Sequence, residues 1–214
     1  MRLRHKPWAD QYMKDNNHIL IQEPFEQKGC WKQLFDQQER PLHLEVGTGK
    51  GQFIAGMGEQ HSEVNFVGIE RVKSVIVGAL KKVKAKETTN TRLAYVDAED
   101  LRDLFVENEI DHIYLNFSDP WPKNRHEKRR LTYPTFLEQY QHILKDEGEI
   151  TLKTDNLTFF EYSLVSFSKF GMTLQEVNLD LHETGDETNV PTEYEEKFSQ
   201  KGQPIYRCRA SFSK

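Results

Sequence analysis

From residue 41 onward the chain alternates short apolar runs with longer amphipathic ones, and this alternation restricts the fold more than any other feature of the sequence. Pro41-Leu-His-Leu-Glu-Val46 reads as a strand running into a glycine-rich turn, with a helix over 52–60. Strands then follow at 65–70, 91–97 and 110–118, and a fifth at 149–154. Helices fall at 73–86, 133–144 and 157–170, with a short one near 99–105. Strand–helix alternation of this kind implies parallel strands joined by right-handed crossovers. Two β-rich segments, 173–182 and 204–212, close the chain with no clear helix between them, which suggests an antiparallel ribbon. The expected fold is α/β: a doubly wound, mostly parallel seven-stranded sheet with an antiparallel edge strand, in one domain over 1–214. A basic N-terminal arm covers about 1–18.

Open sheets of this kind bind ligands outside the carboxyl ends of their strands, near the point where strand order reverses. Acids stand at these ends: Glu45, Glu70, Asp97, Asp119 and Asp155. The first strand leads into Gly47-Thr-Gly49-Lys-Gly51, where glycines permit positive φ and a close backbone approach to a ligand. The helix that follows would offer free N–H groups to an anion. This GxGxG loop is neither the dinucleotide GxGxxG nor a P-loop. Glu70, 25 residues after Glu45, is placed to accept hydrogen bonds from a ribose diol, and Asp97 from an adenine amino group. Either acid could instead cap its own turn.

Asp119-Pro120-Trp121-Pro122-Lys123 is the most distinctive stretch. Two prolines around a tryptophan make a stiff, extended turn. A basic segment continues from it: Lys123 to Arg130 holds five Lys or Arg, one His and one Glu, whereas Glu183 to Glu196 holds six acids and no Lys or Arg. The net charge of −5 argues mildly against nucleic-acid binding, yet phosphate contacts are local and the charge is segregated.

Taken together, Glu45-x-Gly47-x-Gly49-x-Gly51, Glu70, Asp97 and the Asp119–Lys123 motif resemble the bacterial tRNA (guanine-N7-)-methyltransferase family, of the TrmB type. The resemblance spans nearly the whole chain and is carried chiefly by the proline–tryptophan motif with its basic sequel. It implies a Rossmann-like class I methyltransferase that takes a methyl group from S-adenosyl-L-methionine, leaving S-adenosyl-L-homocysteine. By resemblance, Glu45, Gly47, Gly49, Glu70, Asp97 and Asp119 hold that donor, and Asp119 is also the catalytic candidate. Lys123, Asp155, Thr192, Glu193, Tyr194 and Glu195 look like the substrate contacts. Arg125, His126, Lys128, Arg129 and Arg130 match the RNA-binding stretch. The implied target is a guanine at position 46, in the variable loop of tRNA, and the implied assembly is a monomer or a homodimer.

Guanine N7 carries a free lone pair and loses no proton on attack, so no strong base is required. The expectation is positioning plus a favourable field. Asp119 would orient the base and balance its growing positive charge, with Lys123 donating to O6. Arg2, Arg4 and Lys6 would add a second RNA contact.

The remaining composition narrows the alternatives. No apolar run approaches the roughly 20 residues of a membrane span. No signal-peptide core follows the basic N-terminus, so a cytoplasmic location is expected. Cys30 and Cys208 lack metal or disulfide spacing, and the eight histidines form no HExxH pair, so no metal is expected. Three readings stay open: a class I methyltransferase acting on another nucleic-acid base or a small molecule, an NAD-dependent oxidoreductase, and a non-catalytic RNA-binding module.

Overall fold

A computed structural model describes residues 8–97 and 99–212. The basic residues Arg2, Arg4 and Lys6 of the expected arm lie outside the described residues. Eight strands form one sheet: β1 (Leu20–Ile21), β2 (Leu42–Val46), β3 (Asn65–Glu70), β4 (Thr91–Tyr95), β5 (Ile110–Asn116), β6 (Leu144–Thr154), β7 (Met172–Asn178) and β8 (Tyr206–Phe212). Their spatial order is β1-β4-β3-β2-β5-β6-β8-β7. All pairs from β1 to β6 are parallel, and β8 runs antiparallel to both β6 and β7. The expected antiparallel pairing is therefore present, with the reversed strand second from the edge. The eighth strand, β1, is two residues long and pairs with β4, too short to show any alternation.

Helices α1 (Trp8–Lys14), α2 (Gln52–Gln60) and α3 (Lys73–Lys86) cover one face, and α4 (Pro134–Ile143) and α5 (Leu157–Lys169) the other. Because both faces are covered, a central strand such as β3 is apolar almost throughout. Phe66 belongs to the core of the first face, with Ile54, Ile76 and Leu80, and Val67 and Ile69 to the core of the second, with Leu137, Tyr140 and Phe160. Helix starts follow local chemistry. Pro134 opens α4, and the Asn156 side chain accepts from Phe159 N at 2.8 Å to cap α5.

Several elements depart from the sequence expectation: the strand expected at 173–182 ends at Asn178, the one at 91–97 ends at Tyr95, and the short helix near 99–105 is a 3₁₀ turn over Leu101–Asp103. β6 begins at Leu144 and passes an irregularity in its pairing with β5 before the expected start at Glu149. β5 ends at Asn116 because Phe117 turns into left-handed backbone, φ 50°. A sixth helix, α6 (Glu193–Ser199), stands between β7 and β8 where none was expected. Only Glu195 in it is buried, so it has no apolar stripe to read. A capping box starts it: Thr192 and Glu195 bond each other's backbone N–H.

Candidate active site

Sheet order reverses between β2 and β5, and a cavity of about 820 Å³ opens beyond the carboxyl ends of β2 to β5. Its first wall is the turn from β2 into α2. Gly47 N and Thr48 N both donate to Ile69 O at 2.9 Å, which stitches the turn to the end of β3. Gly47 has φ 78°, and a Cβ placed there would meet nothing within 4 Å, so its backbone faces open cavity.

Glu45 lies at the base of this wall, 3% exposed. Its carboxylate accepts from Thr48 Oγ1 at 2.5 Å and from Asn116 Nδ2 at 2.8 Å. Burial pushes its pKa up to about 7 despite these bonds and the nearby Lys153 charge. A carboxyl raised from 4.5 to about 7 binds its proton more tightly folded than unfolded. Its contribution to stability is therefore greatest below about pH 4.5, declines as pH rises towards 7, and costs roughly 3 kcal/mol above that. Two residues lining the cavity each carry a buried polar atom with no hydrogen-bond partner in the protein, Asn116 Oδ1 and Ser118 Oγ. Groups left this way are costly unless something in the cavity bonds them.

Glu70 ties two turns together: one oxygen accepts from Gly49 N at 3.1 Å and the other from Val72 N at 2.8 Å. Asp97 and Asp119 stand exposed on the rim. Asp119 is flanked by Phe117, φ 50°, and Trp121, φ 42°, two large side chains on left-handed backbone. Such strain persists only where the surroundings enforce it. Phe117 N is tied to Lys153 O at 2.8 Å, and at Trp121 the restraint is Arg130. It is 8% exposed, donates to Pro120 O and Trp121 O at 3.1 Å each, and lies 4.2 Å from the Tyr162 ring centre. Its guanidinium braces the turn from behind, which sets it apart from the exposed cations with which it was grouped as an RNA contact. The other basic residues occupy an exposed 3₁₀ helix, Asn124–Arg129. Arg129 sits 4.9 Å over the Trp121 ring, and His126 meets the same ring edge-on at 5.7 Å.

The opposite wall comes from residues 192–194. Thr192, Glu193 and Tyr194 line the cavity, Glu193 pairs with Lys82 of α3, and the Tyr194 ring lies 6.3 Å from Phe117 at 21° between planes. Glu195 does not line the cavity. It is fully buried behind the wall, paired with Lys153 at 2.7 Å.

The cavity thus gathers Glu45, Gly47, Gly49, Glu70, Asp97, Asp119, Thr192, Glu193, Tyr194, Lys128 and Arg129. Lys123, Asp155, Arg125, His126, Arg130 and Glu195 lie outside its lining. Lys123 and Arg125 are exposed on the adjoining segment, and Asp155 is half-buried just past β6. Sequence reasoning passed over Thr48, Asn116, Phe117 and Ser118. The run Asn116-Phe-Ser-Asp119 offered the signal, since polar residues recur where an apolar strand ends. Among the described residues, no group of three or more His, Cys, Asp or Glu is placed to hold a metal ion, and no helix is long and apolar enough to cross a membrane.

Residues 39–208 match a protein-family model described as "Putative methyltransferase". The chain is 60% identical, over 100% of both chains, to the tRNA (guanine-N(7)-)-methyltransferase of Oceanobacillus iheyensis. It is 53% identical to the enzyme of that name from Bacillus subtilis, over 99% of each chain. Among solved structures it resembles the 16S rRNA methyltransferase KamB (TM-score 0.63, 13% identity, 91% of this chain and 95% of that one). It also resembles an antibiotic-related methyltransferase (TM-score 0.61, 17% identity, 99% and 96%). At such identities the structures share the fold alone.

Proposed function

This chain belongs to the tRNA (guanine-N(7)-)-methyltransferase family, and we propose that it transfers a methyl group from S-adenosyl-L-methionine to N7 of a guanine in tRNA, at position 46. The observation that carries this reading is the meeting of Glu45, Glu70, Asp97 and Asp119 around one cavity, with a cationic helix on its rim. The residues suit the donor: an anionic lining for its cationic groups, an open backbone at Gly47, two unpartnered polar atoms, and apolar Val72, Val75, Val96 and Phe136 for a flat ring.

S-adenosyl-L-methionine, when bound, supplies an electrophilic methyl group on its sulfonium. Glu70 would accept from ribose hydroxyls with its remaining lone pairs, Asp97 from the adenine amino group, and Glu45 with Asn116 would face the methionyl ammonium. Asp119 would hold guanine by its N–H groups and offset positive charge growing on the purine. Thr192, Glu193 and Tyr194 would form the base's far wall, while Lys123 and Asp155 approach it from the adjoining loops. Lys128, Arg129, Arg125 and His126 would hold phosphates, keeping the backbone beside the cavity. Such an enzyme works where tRNA is, in the cytoplasm. The test is methylation of unmodified tRNA, with nucleoside mass spectrometry and mapping. N7-methylguanine at position 46 supports the reading, and its absence overturns it.

Two further outcomes follow. Glu45 carries its charge above about pH 7, so a cationic ligand beside it should bind more tightly at pH 8 than at pH 6 and release a proton below the midpoint. Calorimetric titration of S-adenosylhomocysteine in buffers of different ionisation enthalpy reads this directly. Glu45→Gln should remove most of the pH dependence; an equal dependence in that variant would assign it elsewhere. Arg129→Ala should weaken tRNA binding and reduce the slope of log K against log salt by about one, because one phosphate contact is lost. Filter binding over a salt series checks it, and an unchanged slope would leave Arg129 only its contact with Trp121.

A further inference from the structure

Residues 179–205 carry the wall formed by Thr192, Glu193 and Tyr194, and α6 contributes almost no apolar surface to hold it. Lys82 pairs with Glu193 from the front, and a buried ammonium anchors the segment from behind. Lys153, near the end of β6, is 2% exposed, and its Nζ donates to Glu195 Oε2 at 2.7 Å, Val190 O at 2.9 Å and Asn189 Oδ1 at 3.1 Å. Three donors meet three acceptors, all on that one segment. Glu195 is equally saturated. Besides Lys153 it accepts from Asn189 Nδ2 at 2.5 Å and Thr192 N at 3.4 Å, and His182 Nε2 stands at 3.2 Å. Burial pulls the Lys153 pKa down, and the charge and hydrogen bond of Glu195 oppose that. The ammonium also lies 5.0 Å from the ring centre of Phe53, which lines the cavity from α2.

We propose that Lys153 and Glu195 are positioning residues for the guanine side of the site: their buried ion pair seats Thr192, Glu193 and Tyr194 at the cavity without itself touching substrate. The proposal rests on the reading that this wall faces tRNA. It reassigns Glu195, which the family resemblance groups with the substrate contacts. It also gives one member of the acidic stretch a partner inside the protein rather than in the RNA. A buried pair adds little stability over packed apolar side chains. What apolar side chains cannot supply is direction, namely bonds aimed at Val190 O, Asn189 and Thr192 N that fix how α6 starts.

The test compares wild type with Lys153→Met, Glu195→Gln and the double variant Lys153→Met/Glu195→Met, at a temperature where circular dichroism shows each folded. The double variant decides should a lone buried charge unfold the single ones. We expect KM for tRNA to rise about tenfold or more in the folded double variant, with the Kd for S-adenosylhomocysteine within about threefold of wild type. Amide hydrogen exchange across residues 189–196 should accelerate about tenfold or more while β3 and β5 stay unchanged. A folded double variant with wild-type KM and wild-type exchange makes the pair structural filler and overturns the proposal. So does a Kd that rises in step with KM, since the wall would then serve the donor. A wild-type protein that forms no N7-methylguanine defeats the functional reading instead, and the exchange measurement still decides whether the pair holds the wall.

Discussion

Asp119→Asn should lower kcat by about 10²–10³-fold, some 3–4 kcal/mol of transition-state stabilisation, while changing the Kd for S-adenosylhomocysteine by less than about threefold. Asparagine matches the shape of aspartate, so the turn keeps its form; Arg130 braces it through Pro120 O and Trp121 O, not through the carboxylate. What the substitution removes is charge at the rim, facing a base that becomes positive as N7 gains its methyl group. It also replaces one acceptor by a donor, which opposes a guanine N–H. No proton leaves N7, so the loss should be nearly constant with pH, unlike the loss of a general base. Single-turnover rates with both substrates saturating, beside a calorimetric Kd, separate the effects. Near-normal turnover removes Asp119 from catalysis. A Kd that worsens as much as kcat falls makes Asp119 a ligand for the donor only.

The fold was legible because its evidence is local and repeated. Phe66–Ile69 is an unbroken non-polar run, as suits a strand covered on both faces, and each such strand is followed by a helical period. Parallel strands put all their carboxyl ends on one side, so acids far apart in sequence converge without any long-range information. Other features depend on contacts that no local pattern encodes. In the run Lys123 to Arg130 the cations look alike, yet Arg130 is buried because Tyr162, from α5, lies beneath it. Glu195 reads as one acid among six, and only β6 passing behind it supplies Lys153. α6 had a signal in Thr192-x-x-Glu195, but a capping box and a substrate motif look identical in sequence; the structure shows the box. The positive φ at Phe117 and Trp121 could not be read from residues that normally avoid it.

Gly51→Ala should destabilise the protein by about 2–5 kcal/mol and lower Tm on the order of 10 °C. Gly51 is the N-cap of α2 with φ 78°, so alanine there costs about 1–2 kcal/mol in backbone strain alone. The larger part is steric. A Cβ at this position would lie 2.6 Å from both Cα and Cβ of Ala79, in the middle of α3. Backbone cannot swing aside as a long side chain can, so α2 and α3 must separate or the glycine turn must lift from Ile69. Either response moves the wall that carries Gly47 and Gly49, and S-adenosylhomocysteine binding should weaken with stability. Gly47→Ala provides the control. Its φ is also 78°, but its Cβ would meet nothing within 4 Å of protein. That variant should lose only the strain, a few degrees of Tm, while its methyl group projects into the cavity and weakens the ligand. Thermal melts and calorimetric titrations of the two variants give four numbers with a definite pattern: large and weakened for Gly51→Ala, small and weakened for Gly47→Ala. If Gly51→Ala melts no lower than Gly47→Ala, α3 yields freely at Ala79, and the third glycine of the loop serves backbone conformation rather than helix packing.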